Sequence, residues 1–249
     1  MISAVVLTHN SAKTLGRTLV SLKFSDEILI IDDNSTDNSL EIAKKFTNRI
    51  IRRPLSESFA GQRNFAMREA RHEWTLFVDA DEVVSPELAV EIKKNINKND
   101  FSAYYIKRRD HWWGRELHHG EVAEAYKFGF IRLMKKNVGK WVGEVHEEFI
   151  TDQPNGFLSS FLDHYPHPTL TEFIEEINRY STLRSRELTK NGYKPSIIEI
   201  IFVPFGKFFY TYFIKFGFAD GASGFVYSFL MSFHSFLTRA KAYPQNNHK

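Results

Sequence analysis

The sequence predicts an α/β fold: a Rossmann-like, mostly parallel sheet flanked by helices, followed by an aromatic-rich helical C-terminal segment. Three observations carry this. Short, β-branched apolar runs recur through residues 1–100, each followed by a stretch with helical apolar spacing. Polar clusters close three of those runs. From Ile197 onward, Phe and Tyr dominate and charges become scarce.

Ala4 to Leu7 is the first strand. Ser11 to Phe24 carries Leu15, Leu19 and Leu22 on one helical face, with Asn10 or Ser11 as the N-cap. Glu27 to Ile31 is the second strand, and Ser35-Thr36-Asp37-Asn38 opens a helix with Leu40, Ile42, Ala43 and Phe46 inside. Arg49 to Arg52 is a third strand, Phe59 to Ala70 a third helix, and Trp74 to Val78 a fourth strand. Ser85-Pro86-Glu87 starts another helix, with proline in its first turn. Continuous apolar strands between amphipathic helices imply a parallel sheet covered on both faces, joined by right-handed crossovers.

After Phe101 the pattern changes. Phe101 to Arg109 and Phe128 to Lys135 read as strands around an aromatic, His-rich loop, Asp110 to Gly120. Thr169 to Lys190 is a helix. Ile197 to Leu237 is interrupted by Pro204, Gly206, Gly217, Gly221 and Gly224, which argues against one unbroken spanning helix. Helices lying in a membrane interface suit it better, the other readings being a hydrophobic dimer face or a helical cap packed on the domain.

Composition narrows the function. The 249 residues contain no Cys, which excludes a disulfide scaffold, a Cys-ligated zinc site and thiol catalysis. A net charge of +3 is too weak to argue for nucleic acid. Met1-Ile2-Ser3-Ala4 lacks the basic start of a signal peptide, so the expected location is the cytoplasm. No G-x-G-x-x-G follows the first strand, and no P-loop is present, which disfavours dinucleotide oxidoreductases and P-loop NTPases.

In open parallel sheets, ligands bind beyond the carboxyl ends of the strands. The first strand ends in Thr8-His9-Asn10, the second in Asp32-Asp33-Asn34-Ser35, and the fourth in Asp79-Ala80-Asp81-Glu82. Asp79 and Asp81, two apart, would point to one side of an extended chain. All-oxygen ligands favour Mg²⁺ or Mn²⁺, and such a cation lets an acidic cleft hold a diphosphate. Asp37 and Glu82 also read as plain helix caps. Arg63, in Gly61-Gln62-Arg63-Asn64, reaches either a phosphate or solvent.

Val5 to Asn10, Ile30 to Asp37, Gln62 to Asn64 and Val78 to Glu82 together resemble family 2 glycosyltransferases of the GT-A fold. The later stretches HWWGRELHHGEV, GKWVGEVHEEF and LDHYPHPTLTEFIEEINRYS resemble bacterial lipopolysaccharide core β-glucosyltransferases of the WaaE type. The resemblance implies a GT-A catalytic domain over 1–168, with a nucleotide-sugar half at 1–100 and an acceptor half at 101–168. The aromatic, charge-poor composition, and not the resemblance, reads the region 169–249 as helical and membrane-associated. The resemblance also implies inverting transfer from a UDP-sugar donor, with a divalent cation, to a lipid-linked saccharide acceptor on the inner face of the cytoplasmic membrane.

Carried over by motif, Thr8, His9 and Asn10 lie where the base is held. Asp33 contacts uracil with Asp32 beside it, Arg63 lies near uracil or phosphate, Asp79 faces the ribose, and Asp81 ligates the metal. Inversion needs a base for the acceptor hydroxyl proton. Glu147 is the first candidate, then Glu148 and Glu144; His146 is a metal ligand, a diphosphate contact or a structural histidine. Trp112, Trp113 and Arg115 suit a sugar acceptor, the Trp faces by stacking and Arg115 by meeting a phosphate, and packing is the other role for the Trp pair. Rival readings are another nucleotide-sugar donor, a polyprenyl phosphate acceptor, or a non-catalytic nucleotide-sugar or membrane-binding protein.

Overall fold

The computed structural model describes residues 1–55, 58–98, 100–143, 147–166 and 169–243. The chain forms two compact units, one of residues 1–109 and 125–165, the other of residues 110–124 and 166–249.

In the first unit the chain runs β1 (Ile2–Thr8), α1 (Leu15–Ser21), β2 (Glu27–Asp32), α2 (Ser39–Ala43), β3 (Ile50–Arg52) and α3 (Phe59–Glu69). Then come β4 (Trp74–Asp79), β5 (Glu82–Val84), α4 (Pro86–Lys98) and β6 (Ala103–Trp112), whose last residues pass into the second unit. There β6 pairs with β7 (Arg115–Leu117), and α5 (Ala123–Lys127) leads back. The first unit closes with β8 (Phe130–Lys135), β9 (Lys140–Val142), β10 (Glu148–Ile150) and β11 (Asn155–His164).

Its main sheet has the order β3-β2-β1-β4-β8-β6-β11-β5. The pairs β3-β2, β2-β1 and β1-β4 are parallel, as the apolar runs require. Beyond β4 the sheet turns antiparallel at β8, β8-β6 is antiparallel, and so is β11-β5. The sheet is therefore mixed, and its parallel half is the half read from the sequence.

Alternation along the strands feeds two cores. Val5, Leu29, Ile31 and Phe77 pack with Ala60, Ala66 and Met67 of α3. Ala4, Val6, Ile30, Leu76 and Val78 pack with Leu15 and Leu19 of α1 and Leu88 and Ile92 of α4. The first helix is shorter than its apolar spacing predicts. Its N-cap is Thr14, because Ser11 is held in a turn with its backbone N–H on Ser39 Oγ at 2.7 Å.

The second unit is helical. α6 (Leu170–Lys190) and α7 (Ile197–Phe209) each begin with a capping box, Thr169 with Glu172 and Ser196 with Glu199. α7 runs on into a π-helical turn, Tyr210–Ile214, and α8 (Gly221–Ala242) returns. A Cβ on Gly224 would meet Gly217 O at 2.0 Å, so only glycine fits that approach. Ser228, Ser232 and Ser235 of α8 are buried, and Ser232 Oγ donates to Pro204 O at 2.6 Å. Lys241 Nζ donates to Asn178 O, Asn178 Oδ1, Ser181 Oγ and Thr182 Oγ1 at 2.7–2.8 Å, tying α8 to α6. Among the described residues, Ile197–Ile214 is one helical stretch long and apolar enough to cross a membrane, with mean hydropathy 1.6.

Candidate active site

The parallel register aligns the polar strand ends of the first unit. Thr8 pairs with Asp32 across β1-β2, and Leu7 with Asp79 across β1-β4. Asn10 and Asn34 follow β1 and β2 with φ of 50° and 51°, a conformation asparagine tolerates better than most residues.

The loops after β1 and β2 are laced together. Asp33 N–H donates to Thr8 O at 2.8 Å, Asn10 N–H to Ser35 Oγ at 2.9 Å, and Thr36 N–H to Asn10 Oδ1 at 2.8 Å. Asp37 Oδ2 accepts from Ala12 N–H at 3.0 Å and Oδ1 from Ser39 N–H, the first of α2, at 2.9 Å, so Asp37 both ties the loop and caps the helix. Asp32 is fully buried and accepts from Ser35 N–H, so it shapes the turn from beneath. His9 Nδ1 lies 2.5 Å from Asp33 O, and Asp33 Oδ1 accepts from Leu55 N–H at 2.7 Å. His9 is the exposed member of this corner, Asp33 is half-buried, and the buried hydroxyl of Thr8 has no partner.

Arg63 is the centre of a second group. Three consecutive α3 side chains divide the work. Gln62 bonds Arg53 through both ends of its amide, at 2.5 and 2.6 Å. Asn64 brackets the Trp141 backbone, accepting from its N–H at 2.9 Å and donating to its carbonyl at 2.8 Å. Arg63 lies between them, only 5% exposed, with its guanidinium 4.9 Å from the Trp141 ring and 5.3 Å from Phe77. It is therefore no surface arginine. Its Nε donates to Glu147 Oε1 at 2.7 Å and its Nη2 to Asp79 Oδ1 at 2.9 Å. Its Nη1 is buried without a partner.

Arg132, on β8, takes the other Asp79 oxygen at 2.7 Å and also donates to Glu82 Oε1 at 3.1 Å. Glu82 Oε2 in turn accepts from Asp79 N–H at 2.8 Å. Burial works to raise the Asp79 pKa, but the Arg132 and Arg63 guanidiniums outweigh it and hold the carboxyl far below its usual range. Glu82 moves the other way. Burial pushes its carboxyl up, with the Asp79 charge adding and Arg132 opposing. Asp79 is thus fixed as an anion, with both oxygens oriented.

Asp79 and Asp81, placed together by their spacing, have different partners. The chain turns after β4 and re-enters as β5, so Asp79 meets the two arginines while Asp81 Oδ2 lies 3.4 Å from His164 Nε2. Glu82, read as a helix cap, is instead a fully buried ion-pair partner. Arg132 was missed, and a lone arginine in the apolar strand FIRLMK was its signal. Glu147 directly precedes β10 and is joined to Arg63; Glu148 is exposed on β10. Glu144 and His146 lie outside the described residues.

Among the described residues, no group of three His, Asp or Glu side chains gathers to hold an ion. Asp81, partly exposed beside His164, supplies one hard oxygen donor group. So small a donor set fits Mg²⁺ or Mn²⁺ that draws its remaining oxygens from a diphosphate.

In the second unit, Trp112 is 1% exposed, edge-on to Phe173 and Tyr227, so its faces are spent on packing and not open to a sugar. Trp113 stacks on it at 4.3 Å and stays 50% exposed. Arg115 is exposed. The neighbouring histidines are ordered by Asp220, which accepts from His118 N–H, His119 N–H and His119 Nδ1.

The profile of glycosyl transferase family 2 matches residues 3–150. The lipopolysaccharide core biosynthesis glycosyltransferase LpsC of Rhizobium meliloti is 26% identical over 254 residues, covering 98% of this chain and 93% of its own. S. aureus TarS 1–349 in complex with UDP-GlcNAc matches with TM-score 0.51 and 17% identity over 97% of this chain and 88% of that one. The mannosyltransferase PcManGT from Pyrobaculum calidifontis, in complex with GDP-Man and Mn²⁺, matches with TM-score 0.54 and 12% identity over 97% and 86%. The architecture is that of the GT-A fold.

Proposed function

The chain belongs to glycosyl transferase family 2, and from that premise we propose that it transfers glucose from UDP-glucose, with inversion, to a sugar of the lipopolysaccharide inner core. The observation that carries the chemistry is the Glu147–Arg63–Asp79 chain of bonds, which ties a candidate base to a candidate donor contact. The near full-length likeness to a lipopolysaccharide core enzyme supports the acceptor. Relatives in fold bind UDP-GlcNAc or GDP-Man, which supports a nucleotide-sugar donor.

The first unit's residues take these roles. Asp33 and Thr8 receive the uracil corner, with His9 at its open edge. Asp79, held ionised by two arginines, accepts from the ribose hydroxyls. Asp81 holds a divalent cation with the diphosphate; when bound, the cation neutralises charge on the leaving group. Arg63 fixes Glu147 Oε1, and Oε2 takes the acceptor hydroxyl proton as that oxygen attacks the anomeric carbon. The bond to the diphosphate breaks on the opposite face and UDP leaves. Trp113 and Arg115 are assigned to the lipid-linked saccharide. The enzyme works at the cytoplasmic face of the membrane that carries this acceptor.

The test is a binding titration of UDP, GDP and CMP, with and without Mn²⁺ or Mg²⁺, on the parent and on Asp81→Ala. Metal-dependent UDP binding that the variant loses is the expected result. Preference for GDP overturns the donor assignment. Metal-independent binding of equal strength in both proteins overturns the role of Asp81.

A further inference from the structure

The stretch Ile197–Ile214 is helical throughout, yet only 11% of it is buried. Its exposed side chains follow one broad helical face. Ile198, Phe202, Phe205 and Phe209 recur at three- and four-residue steps and are 57–70% exposed. Every exposed residue from 197 to 214 is apolar or glycine, apart from the hydroxyl of Tyr210.

The opposite face is the one that packs. Pro204 and Thr211 are buried there, and Pro204 O accepts from Ser232 of α8. The two lysines of this region turn the same way. Lys207 Nζ bonds Glu121 at 2.9 Å and Lys215 Nζ bonds Glu124 at 2.6 Å, so neither cation is left on the bare face. The Glu124 carboxylate keeps Lys215 protonated by raising its pKa.

Three residues before this helix, Lys194 is exposed. The chain thus places a cation at one end of an uncharged apolar face. A protein partner of ordinary chemistry is met by a polar rim around an apolar centre. Here the face carries no charge along its length, and an exposed lysine lies at its end. That is the charge pattern of a helix seated between acyl chains and anionic headgroups.

We infer that α7 and the π-helical turn after it lie in the plane of an anionic membrane surface, with Phe202, Phe205 and Phe209 below the headgroups. The segment lies along the surface and does not cross it, because its packed face carries the ion pairs Lys207–Glu121 and Lys215–Glu124, which are costly inside the hydrocarbon. This inference rests on the second unit alone and stands or falls independently of the donor sugar.

The test uses the full chain in vesicle flotation, on phosphatidylcholine alone and on phosphatidylcholine with phosphatidylglycerol. The parent is expected to float with the anionic vesicles and less with the neutral ones. The double variant Phe202→Ser/Phe205→Ser should lose at least about tenfold in partitioning, since two large side chains no longer leave water. Both positions are exposed, so thermal unfolding and UDP binding should stay at parental values and separate lost membrane contact from lost folding. Flotation of the variant equal to the parent overturns the inference. So does a parent that stays with neither vesicle and is a dimer by light scattering that the same variant splits, which would assign the face to a second copy. Equal flotation on both vesicle types overturns the anionic preference.

Discussion

Arg63 Nε donates to Glu147 Oε1 at 2.7 Å, joining residues 84 positions apart. The bond links α3 to the segment before β10 and sets one carboxylate apart from its neighbour. Glu147→Gln keeps the shape but cannot accept a proton. It should lower kcat by about 10²- to 10⁴-fold while UDP binding is retained. Glu148→Gln, on an exposed strand position, should leave the rate near the parent. Steady-state transfer assays on the two variants separate them, and a reversed ranking reassigns the base.

Arg132 serves Asp79 and Glu82 together, and both carboxylates depend on it. Arg132→Met should destabilise the protein by about 3–5 kcal/mol, because removing one partner leaves uncompensated charge inside. Adding Glu82→Gln should recover part of that loss, since the second acid is then neutral. Urea unfolding of the two single variants and the double variant measures this coupling.

The stacked tryptophans should part company on mutation. Trp112→Ala empties a buried site and should cost about 3–5 kcal/mol. Trp113→Ala loses mainly a stacking contact, about 1 kcal/mol. If Trp113 meets the acceptor saccharide, its variant should raise the acceptor KM with UDP binding unaltered. Thermal unfolding and acceptor titration check the two halves.

Glu27 gives a pH dependence. Burial works to raise its pKa, but hydrogen bonds from Ser3 Oγ, Arg71 N–H and Arg49 Nε outweigh it and hold the carboxyl below the usual 4.5. A lowered folded pKa contributes stability that is present above 4.5 and is lost as the pH falls through the folded value. Glu27→Gln should therefore lower Tm at pH 7, and the gap between variant and parent should close as the pH drops beneath 4.5. A gap that stays constant down to acid assigns the loss to packing.

The parallel half of the fold was legible because each of its strands is a continuous apolar run closed by a polar cluster. The bounds of α6 were legible too, from Thr169 to Lys190. The antiparallel half was harder to read. β5 is three residues long, too short to show alternation, and its partner β11 lies some eighty positions later. At the site, the place of Asp79 at the end of β4 was legible from its motif, while the burial of Arg63 between Asp79 and Glu147 was not. Nor was the path of the chain between Asp79 and Glu82, since the tight turn there is stabilised by Arg132 from a distant strand. Trp112 and Trp113 looked alike in sequence, and only the packing of Phe173 and Tyr227 decides which is buried.

The chain crosses between its two units three times, leaving the first after Arg109, returning at Ala125 and leaving again after Tyr165. The second unit is therefore no detachable appendage. A fragment ending at Tyr165 would still carry residues 110–124 and would strip Trp112, Leu117 and Val122 of the helical partners that cover them. Such a fragment would aggregate in expression trials, and the C-terminal helices could not be exchanged for those of a relative unless residues 110–124 moved with them. The family profile stops at residue 150, but the part that can be inherited or engineered as one piece extends through α8.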